Sequence, residues 1–127
     1  MTEGHIIIPR GLNVWPHELN TAQALAADGH NVEFVKKSNA EGERTADIVM
    51  DGLLWEMKAP TASHVQAIER NIRRACLQSE NVILDARRMR SIPPYALERE
   101  ARACVKRIAK LKRLIFIDRT GRPIDIL

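Results

Sequence analysis

The chain has 127 residues, of which 45% are hydrophobic and 28% are charged, so it suits one compact domain with a single buried core and is not compositionally disordered. Twenty Lys and Arg residues against sixteen Asp and Glu residues give a net charge of +4, which favours polyanionic partners. Apolar runs such as residues 6–8, 82–84 and 114–117 are far shorter than the roughly 20 residues that cross a bilayer, so we expect no membrane-spanning segment.

The first half of the chain predicts one helix and several strands. In chain order the pattern predicts a strand at residues 5–8, a helix at 16–27, a strand at 32–36, a polar loop at 37–45, and strands at 46–50 and 53–59. Pro16 suits the first turn of the helix because its fixed φ is already helical. Asp51-Gly52, between the last two strands, is the strongest short-range signal for a two-residue β-hairpin turn.

The second half alternates helices and strands. In chain order it predicts a helix from about residue 63 to 78, a strand at 82–85, a helix opened by Pro93-Pro94, a strand at 114–118 and a short tail after a turn at 121–123. Ser63 and Gln66 have the spacing of a capping box. The whole order predicts an α/β or α+β fold, with a single mixed central sheet flanked by helices and residues 1–127 as one domain.

The hairpin carries the most informative polar residues. If Asp51 and Gly52 fill the turn, Asp47 lies directly opposite Glu56, and Lys58 projects to the same face as Glu56. Like charges that face each other across two strands are destabilising unless something compensates them. A divalent cation bound between Asp47 and Glu56 would compensate their two negative charges.

Asp47, Glu56 and Lys58 together match what metal-assisted phosphodiester cleavage requires. The two acids offer oxygen ligands for a hard cation, and the lysine offers a cationic donor beside the reacting phosphate. The alternative is a solvated hairpin whose charged residues alternate with buried ones, as on any half-exposed antiparallel sheet. An acid within the run Ala-Asp-Ile-Val-Met argues against that alternative, because carboxylates are depleted within strands.

These residues carry a resemblance to a known family. The segment TADIVMDGLLWEMKAP, with its acid, short hairpin and Glu-x-Lys, resembles the PD-(D/E)xK nuclease superfamily. Its continuation SHVQAIERNIRRACLQSENVILDARRM resembles more narrowly the tRNA nuclease domain at the C-terminus of contact-dependent growth inhibition (CdiA-type) toxins. The likeness covers about residues 17–118, and Ala46 replaces the proline of the superfamily's name without affecting the acid.

The resemblance implies a restriction-endonuclease-like core and a set of site residues. Asp47 and Glu56 would bind a divalent metal ion, Mg²⁺ or else Mn²⁺ or Zn²⁺, and Lys58 would assist catalysis. Glu18 matches an acid that members often add from the first helix as a further catalytic and metal-binding residue, although the helix dipole alone also favours an acid there. Gln78 corresponds to a glutamine often seen near such active sites, although a glutamine that ends a helix is commonly just solvated.

Basic residues cluster beside the predicted helices and suit contacts with phosphates. The substrate-binding candidates among them are Arg73, Arg74, Arg87 and Arg88. Such contacts supply affinity without reading sequence, and with few aromatic residues in the chain we expect recognition by shape and charge. Basic outer faces also occur on ordinary helices. His17 and His64 lie near predicted helix starts, from which they could reach a substrate phosphate, although we expect ordinary surface histidines.

The expected function combines these observations. The resemblance implies a metal-dependent endoribonuclease that cleaves tRNA or another structured RNA, delivered as part of a larger secreted or cell-surface toxin into the cytoplasm of a target bacterium and neutralised by a cognate immunity protein. The alternatives are a DNA endonuclease of the same superfamily and a non-catalytic basic nucleic-acid-binding protein. Cys76 and Cys104 fall on apolar helix faces, where we expect them to be free and buried.

Overall fold

The computed structural model describes residues 2–36 and 46–127, so the loop predicted at 37–45 lies outside the described residues. Within these ranges one curled mixed sheet contains seven strands in chain order and is accompanied by three helices. The elements are β1 (Ile6–Ile7), α1 (Pro16–Ala27), β2 (Val32–Phe34), β3 (Ile48–Met50), β4 (Leu53–Lys58), α2 (Gln66–Ala75), β5 (Asn81–Asp85), α3 (Pro94–Arg107), β6 (Arg113–Ile117) and β7 (Pro123–Asp125).

The sheet mixes antiparallel and parallel pairings. β2, β3 and β4 are antiparallel neighbours, whereas β4, β5 and β6 run parallel to one another. β1 pairs parallel with β2, and β7 pairs antiparallel with β6. Each parallel pair is joined through one helix, as a crossover connection requires. The expected fold class, a single mixed sheet flanked by helices, is confirmed.

Apolar side chains cover both faces of the sheet. In β5, Ile83 belongs to the cluster that includes Leu25 of α1, while Val82 and Leu84 belong to the cluster formed with α2 and α3. All five residues of β5 are buried, as expected for a central strand between two layers. α1 therefore covers one face of the sheet, and the other two helices cover the opposite face.

The hairpin between β3 and β4 has the predicted turn and register. Asp51 and Gly52 have φ values of 55° and 76°, and Ile48 pairs with Trp55. A two-residue turn with positive φ at both positions matches the right-handed twist of the strands, which explains the Asp-Gly sequence.

The pairing expected between Asp47 and Glu56 is not part of the ladder. β3 begins at Ile48 rather than residue 46, and the backbone N–H of Asp47 donates to the carbonyl oxygen of Trp55 at 3.0 Å. The Asp47 side chain takes the place of a strand carbonyl, because its Oδ2 accepts the backbone N–H of Met57 at 2.8 Å. The two strands therefore stop pairing before β4 ends.

Other element boundaries also differ from the sequence prediction. α2 begins at Gln66 after a helical Val65, and its N-terminus has no side-chain cap, so the capping box expected from Ser63 does not form. After Ala75 the chain continues in turns. In one of them the Leu77 N–H donates to the Arg74 carbonyl oxygen at 3.1 Å. The predicted C-terminal tail is instead the edge strand β7, paired with β6.

The two cysteines are free and buried, as expected. Burial, followed in effect by the nearby Glu100 carboxylate, raises the pKa of the Cys104 thiol to about 11. Burial likewise raises the pKa of Cys76. Both thiols are therefore protonated at neutral pH and pack as small apolar groups. None of the helices in the described ranges combines the length and the hydropathy that a bilayer crossing demands.

Candidate active site

A polar cavity of about 260 Å³ opens where β3 and β4 stop pairing. It lies at the Lys58 end of β4, beside the first turns of α1. Its lining residues are His17, Glu18, Thr21, Asp47, Glu56, Met57, Lys58 and Ala59. The structure thus brings together four of the predicted catalytic residues: Asp47, Glu56, Lys58 and Glu18.

The two hairpin carboxylates are buried although they border the cavity. Asp47 is 8% exposed and Glu56 is 5% exposed. Lys58 Nζ lies 3.7 Å from Glu56 Oε2, and the lysine side chain is 29% exposed. The cavity therefore presents two acids and one cation within a small volume.

This donor set suits a divalent cation. Burying two carboxylates side by side is costly unless positive charge or hydrogen bonds compensate them. Among the described residues that line the cavity, Lys58 supplies positive charge beside Glu56, and Glu18 adds a third acid to Asp47 and Glu56. Carboxylate oxygens are the ligands that Mg²⁺ and Mn²⁺ prefer.

Glu18 occupies a position that is compatible with both alternatives that the sequence left open. Its side chain lines the cavity, and its Oε1 also accepts the backbone N–H of Trp15 at 3.0 Å, which satisfies a donor at the start of α1. An acid in the first helical turn is favourable there as well.

A buried acid at the end of β5 organises the neighbouring surface. Asp85 is 3% exposed, and Arg87 binds it through Nε at 2.9 Å and Nη2 at 2.7 Å. Thr21 of α1 donates its hydroxyl to Asp85 Oδ2 at 2.7 Å. Hydrogen bonding to Asp85 raises the pKa of Arg87, outweighing the effect of burial. Asp85 thus joins α1 to the end of β5 and neutralises Arg87.

A second cavity of about 150 Å³ adjoins the first and is basic. Its lining residues are His17, Asn20, Asp85, Arg87, Arg88 and Arg90. His17 borders both cavities. Arg88 Nη1 donates to the carbonyl oxygen of Ala59, which itself lines the first cavity, at 3.0 Å. Because Asp85 neutralises Arg87, the exposed Arg88 and Arg90 are the stronger anion-binding candidates here.

Three further predicted site residues line neither of these two cavities. Gln78 follows α2, and its neighbour Ser79 donates its hydroxyl to the Leu54 carbonyl oxygen at 2.8 Å, towards the hairpin end of β4 rather than the Lys58 end. Arg73 and Arg74 are exposed on the last turn of α2, and Arg73 pairs with a glutamate one turn earlier at 3.0 Å.

Sequence reasoning gave too little weight to His17 and did not identify Asp85. Asp85 ends a wholly buried strand and stands two residues before an arginine, and this local pattern was the available signal. The contact between Asp85 and Thr21 spans 64 positions of sequence and could not be inferred from spacing. His17 owes its position to the packing of α1 against the sheet.

A second acidic group, between α2 and α3, is already neutralised. Glu69, Glu100 and Cys104 are close enough to hold an ion. Arg107 pairs with both glutamates, at 3.1 Å and 2.5 Å, so the group acts as an ion-pair network between the helices. The burial-raised pKa of Cys104 further disfavours the thiolate that a metal would need.

A larger cavity, about 550 Å³, lies at the other end of the hairpin. It contains Asp51 and His30, whose side chains pair at 3.0 Å, and Lys112 and Arg113. The acids that line it, Asp51 and Asp125, are exposed, whereas Asp47 and Glu56 are buried. We therefore assign the candidate active site to the smaller cavity, because its buried charged groups converge.

The fold and the cavity together describe an α/β domain with a carboxylate–lysine site at one end of the central strands of a mixed sheet. The family described as "Contact-dependent growth inhibition CdiA C-terminal domain" matches residues 44–122, which include the hairpin, β5 and α3. The chain belongs to this family of CdiA C-terminal toxin domains. Such a domain is part of a larger cell-surface toxin that is delivered into target cells, where it inhibits growth.

A solved structure has the same fold. It is described as "CdiA-CT/CdiI toxin and immunity complex from Burkholderia pseudomallei", and it matches with a TM-score of 0.68 over 94% of this chain and 97% of that chain. The two sequences are 17% identical, so the likeness concerns the fold alone. No curated protein matches the chain.

Proposed function

We propose that this toxin domain is a metal-dependent endoribonuclease, a phosphodiester hydrolase that cleaves tRNA in the cytoplasm of the target bacterium. One observation carries the proposal: Asp47, Glu56 and Lys58 line a single cavity together with Glu18. The preference for tRNA comes from the resemblance of the hairpin and α2 segments to tRNA nuclease domains of this toxin family.

The charges in the cavity suit attack on a phosphodiester. A divalent cation held by Asp47, Glu56 and Glu18 would supply positive charge to the phosphate oxygens and acidify a nearby water. The Lys58 ammonium, which has three N–H donors, would hold the attacking water or stabilise negative charge that develops at the phosphate. The burial of the carboxylates strengthens these electrostatic effects, because little water screens them.

The adjoining basic cavity would bind the phosphates that flank the cleaved bond. Arg88 is tied to the Ala59 carbonyl beside the candidate active site, and Arg90 lines the same basic cavity. Asp85 and Thr21 would keep Arg87 and α1 in register with this surface. Contacts of this type give affinity without base specificity.

We also propose a cognate immunity protein as a partner. Support comes from the solved relative of the same fold, which is a complex of a toxin and an immunity protein. A cell that makes a growth-inhibiting nuclease needs such a partner to protect its own RNA.

The first prediction is the loss of cleavage in two site variants. Purified protein is incubated with Mg²⁺ and either end-labelled bacterial tRNA or duplex DNA, and the products are resolved on gels. The wild type should cleave tRNA, whereas Glu56→Gln and Lys58→Ala should each lower the rate by about 100-fold or more, the usual cost of removing a catalytic electrostatic group. EDTA should stop the wild-type reaction, and excess Mg²⁺ should restore it.

Matched controls separate catalysis from folding. Glu33→Gln on β2 and Lys106→Ala on α3 remove the same chemical groups from exposed positions outside the cavity and should leave the rate unchanged. Thermal unfolding followed by circular dichroism should show that all variants fold. Full activity of both site variants would contradict the catalytic assignment, and cleavage of DNA alone would replace RNA as the substrate.

A further inference from the structure

Trp15 is a large aromatic side chain left exposed beside the candidate active site. It is 69% exposed, whereas Trp55, the other tryptophan of the chain, is 4% exposed and donates its Nε1 to the Met50 carbonyl oxygen at 2.9 Å. Burying such a ring is strongly favourable, and exposed tryptophans commonly mark binding sites.

Local structure fixes the Trp15 backbone at the start of α1. Pro16 follows it as the first residue of α1, and the backbone N–H of Trp15 is bound by Glu18 Oε1 at 3.0 Å. The indole ring lies near the His17 imidazole, with 6.5 Å between ring centroids and 21° between ring planes. We call these two rings the Trp15–His17 pair.

His17, one ring of the pair, borders both cavities of the site. His17 lines the cavity that contains Asp47 and Glu56, and it also lines the basic cavity that contains Arg88 and Arg90. Glu18, whose carboxylate holds the Trp15 backbone, lines the first of these as well. A polynucleotide with its phosphates in both cavities would pass His17, whose ring centroid lies 6.5 Å from that of the indole.

We propose that Trp15 stacks on an unpaired nucleobase next to the cleaved phosphate and thereby restricts cleavage to single-stranded or splayed-out nucleotides. This inference rests on the proposed nuclease function and adds a specificity-determining residue to it. Nucleobases and aromatic side chains stack through their π-faces irrespective of base identity. Bases within a paired stem are covered by their neighbours and cannot reach the indole, so the stem of a folded RNA is excluded.

The scarcity of aromatic residues agrees with a single stacking contact. The chain has two Trp, one Tyr and two Phe residues, and a platform for a long single strand would need several exposed rings. One ring next to the basic cavity suits one unpaired nucleotide within an otherwise structured RNA.

Tyr95 offers a matched control. It is also 69% exposed and lies at the start of a helix, α3, where Arg99 stacks over its ring at 5.6 Å. It lines a different cavity, which shares no residue with either cavity of the candidate site. Tyr95→Ala therefore removes an equally exposed aromatic ring from outside the proposed RNA path.

The second prediction is tested with variants and modified RNAs. A short RNA that the wild type cleaves is synthesised with a single abasic ribose at each position around the cut. Stacking on a protein aromatic contributes about 1–3 kcal/mol, so Trp15→Ala should lose roughly 5- to 100-fold in affinity for intact RNA, while Trp15→Phe should retain most of it. An abasic site at one flanking position should lower the RNA affinity of the wild type by a similar factor. The same abasic site should not lower the affinity of Trp15→Ala any further.

A binding measurement checks the contact without relying on catalysis. In the Glu56→Gln background, the intact RNA should quench the fluorescence of Trp15, and the RNA that lacks the stacked base should not. Trp55 is buried and should change little. Tyr95→Ala should match the wild type in cleavage and in quenching.

The outcomes separate the two proposals. If the wild type cleaves RNA and Trp15→Ala binds and cleaves the same RNAs equally well, the stacking inference is wrong and the nuclease function stands. If Trp15→Ala stays as sensitive as the wild type to each abasic site, the base is held elsewhere and the inference is also wrong. If the wild type cleaves no RNA at all, the proposed function fails and the inference fails with it.

Discussion

Individual carboxylates in this domain differ in their hydrogen-bond and ion-pair partners. Asp85 is buried and fully engaged by Arg87 and Thr21, so it serves the structure beside the site. Asp118, after β6, accepts hydrogen bonds within a turn. Asp47 accepts the Met57 N–H and Glu56 lies 3.7 Å from Lys58 Nζ, and both acids line one cavity together with Glu18. The grouping is therefore the feature of the residue pattern that indicates chemistry.

The third prediction concerns Asp118 and pH. Burial by itself would raise the pKa of Asp118, but hydrogen bonds from Thr120 and from the Arg122 backbone overcome it and lower the pKa below the ordinary 3.8. Because the folded-state pKa is lower than the unfolded one, the stabilisation is present above about pH 4 and is lost as pH falls through the folded value. Asp118→Asn should lower the free energy of unfolding by about 1 kcal/mol at pH 7.

Urea unfolding at a series of pH values measures this effect. The difference between Asp118→Asn and the wild type should shrink steadily below about pH 4. Asp125→Asn, which changes an exposed acid on β7, should show no comparable trend. A constant difference between Asp118→Asn and the wild type across the whole pH range would show that the charge is not responsible.

At the scale of elements, the β3–β4 hairpin fixes where the site forms. Its register follows from Asp51-Gly52, because the turn needs two residues with positive φ, and that requirement is readable from the sequence. The central strand β5 and the face of α3 that carries Leu97, Ala101 and Cys104 were equally readable, since their hydrophobic patterns differ in period.

Other elements depended on contacts that no local pattern encodes. The sequence predicted that Asp47 would face Glu56 across a regular ladder, but its carboxylate binds the Met57 N–H and ends the ladder early. The Ser63 capping box competes with a turn ahead of α2 and does not form. β7 forms by pairing with the edge of β6, which is a tertiary contact. The sequence pattern does not predict it, because Gly121 and Pro123 are residue types that are depleted in strands.

The fourth prediction tests the hairpin turn. Gly52 has a φ of 76°, and a Cβ atom added to it would meet no other atom within 4 Å. Gly52→Ala should therefore lower the free energy of unfolding by about 1 kcal/mol, because alanine is strained at a positive φ. No steric clash should add to this loss. Chemical denaturation should show a lower midpoint with an unchanged slope. A loss of several kcal/mol would mean that the turn contributes more than backbone strain.

At the scale of the molecule, positive charge is concentrated where a polyanion would bind. The net charge is only +4, but Arg88 and Arg90 stand together at the basic cavity beside the candidate active site. Arg73 and Arg74 form a separate basic group on α2. The first group would hold RNA at the site, and the second would matter only if the RNA also extended over α2.

The fifth prediction is a strong dependence of RNA affinity on salt. For the inactive Glu56→Gln protein, the logarithm of the affinity for tRNA should fall linearly with the logarithm of the salt concentration, because each phosphate contact releases counterions. Arg88→Ala and Arg90→Ala should each make this slope less steep by about one, the change expected for the loss of one phosphate contact. Arg102→Ala, which removes an arginine paired with Glu98 on α3, should leave the slope unchanged.

Variants of the α2 arginines complete this measurement. A reduced slope in Arg73→Ala or Arg74→Ala would extend the contact surface over α2, and an unchanged slope would limit it to the basic cavity. A slope unaffected by Arg88→Ala and Arg90→Ala would remove that cavity from the RNA path.

The cavity is built from α1, the hairpin and the end of β5, segments that are far apart along the chain. Asp47, Glu56 and Lys58 lie within the hairpin segment, but Glu18 and His17 come from α1, so the complete site requires the folded chain. A chain that enters a recipient in an extended form would be harmless during passage, and its potency would return only upon refolding. In that case, a substitution that slows the docking of α1 would delay growth inhibition even with every charged group intact.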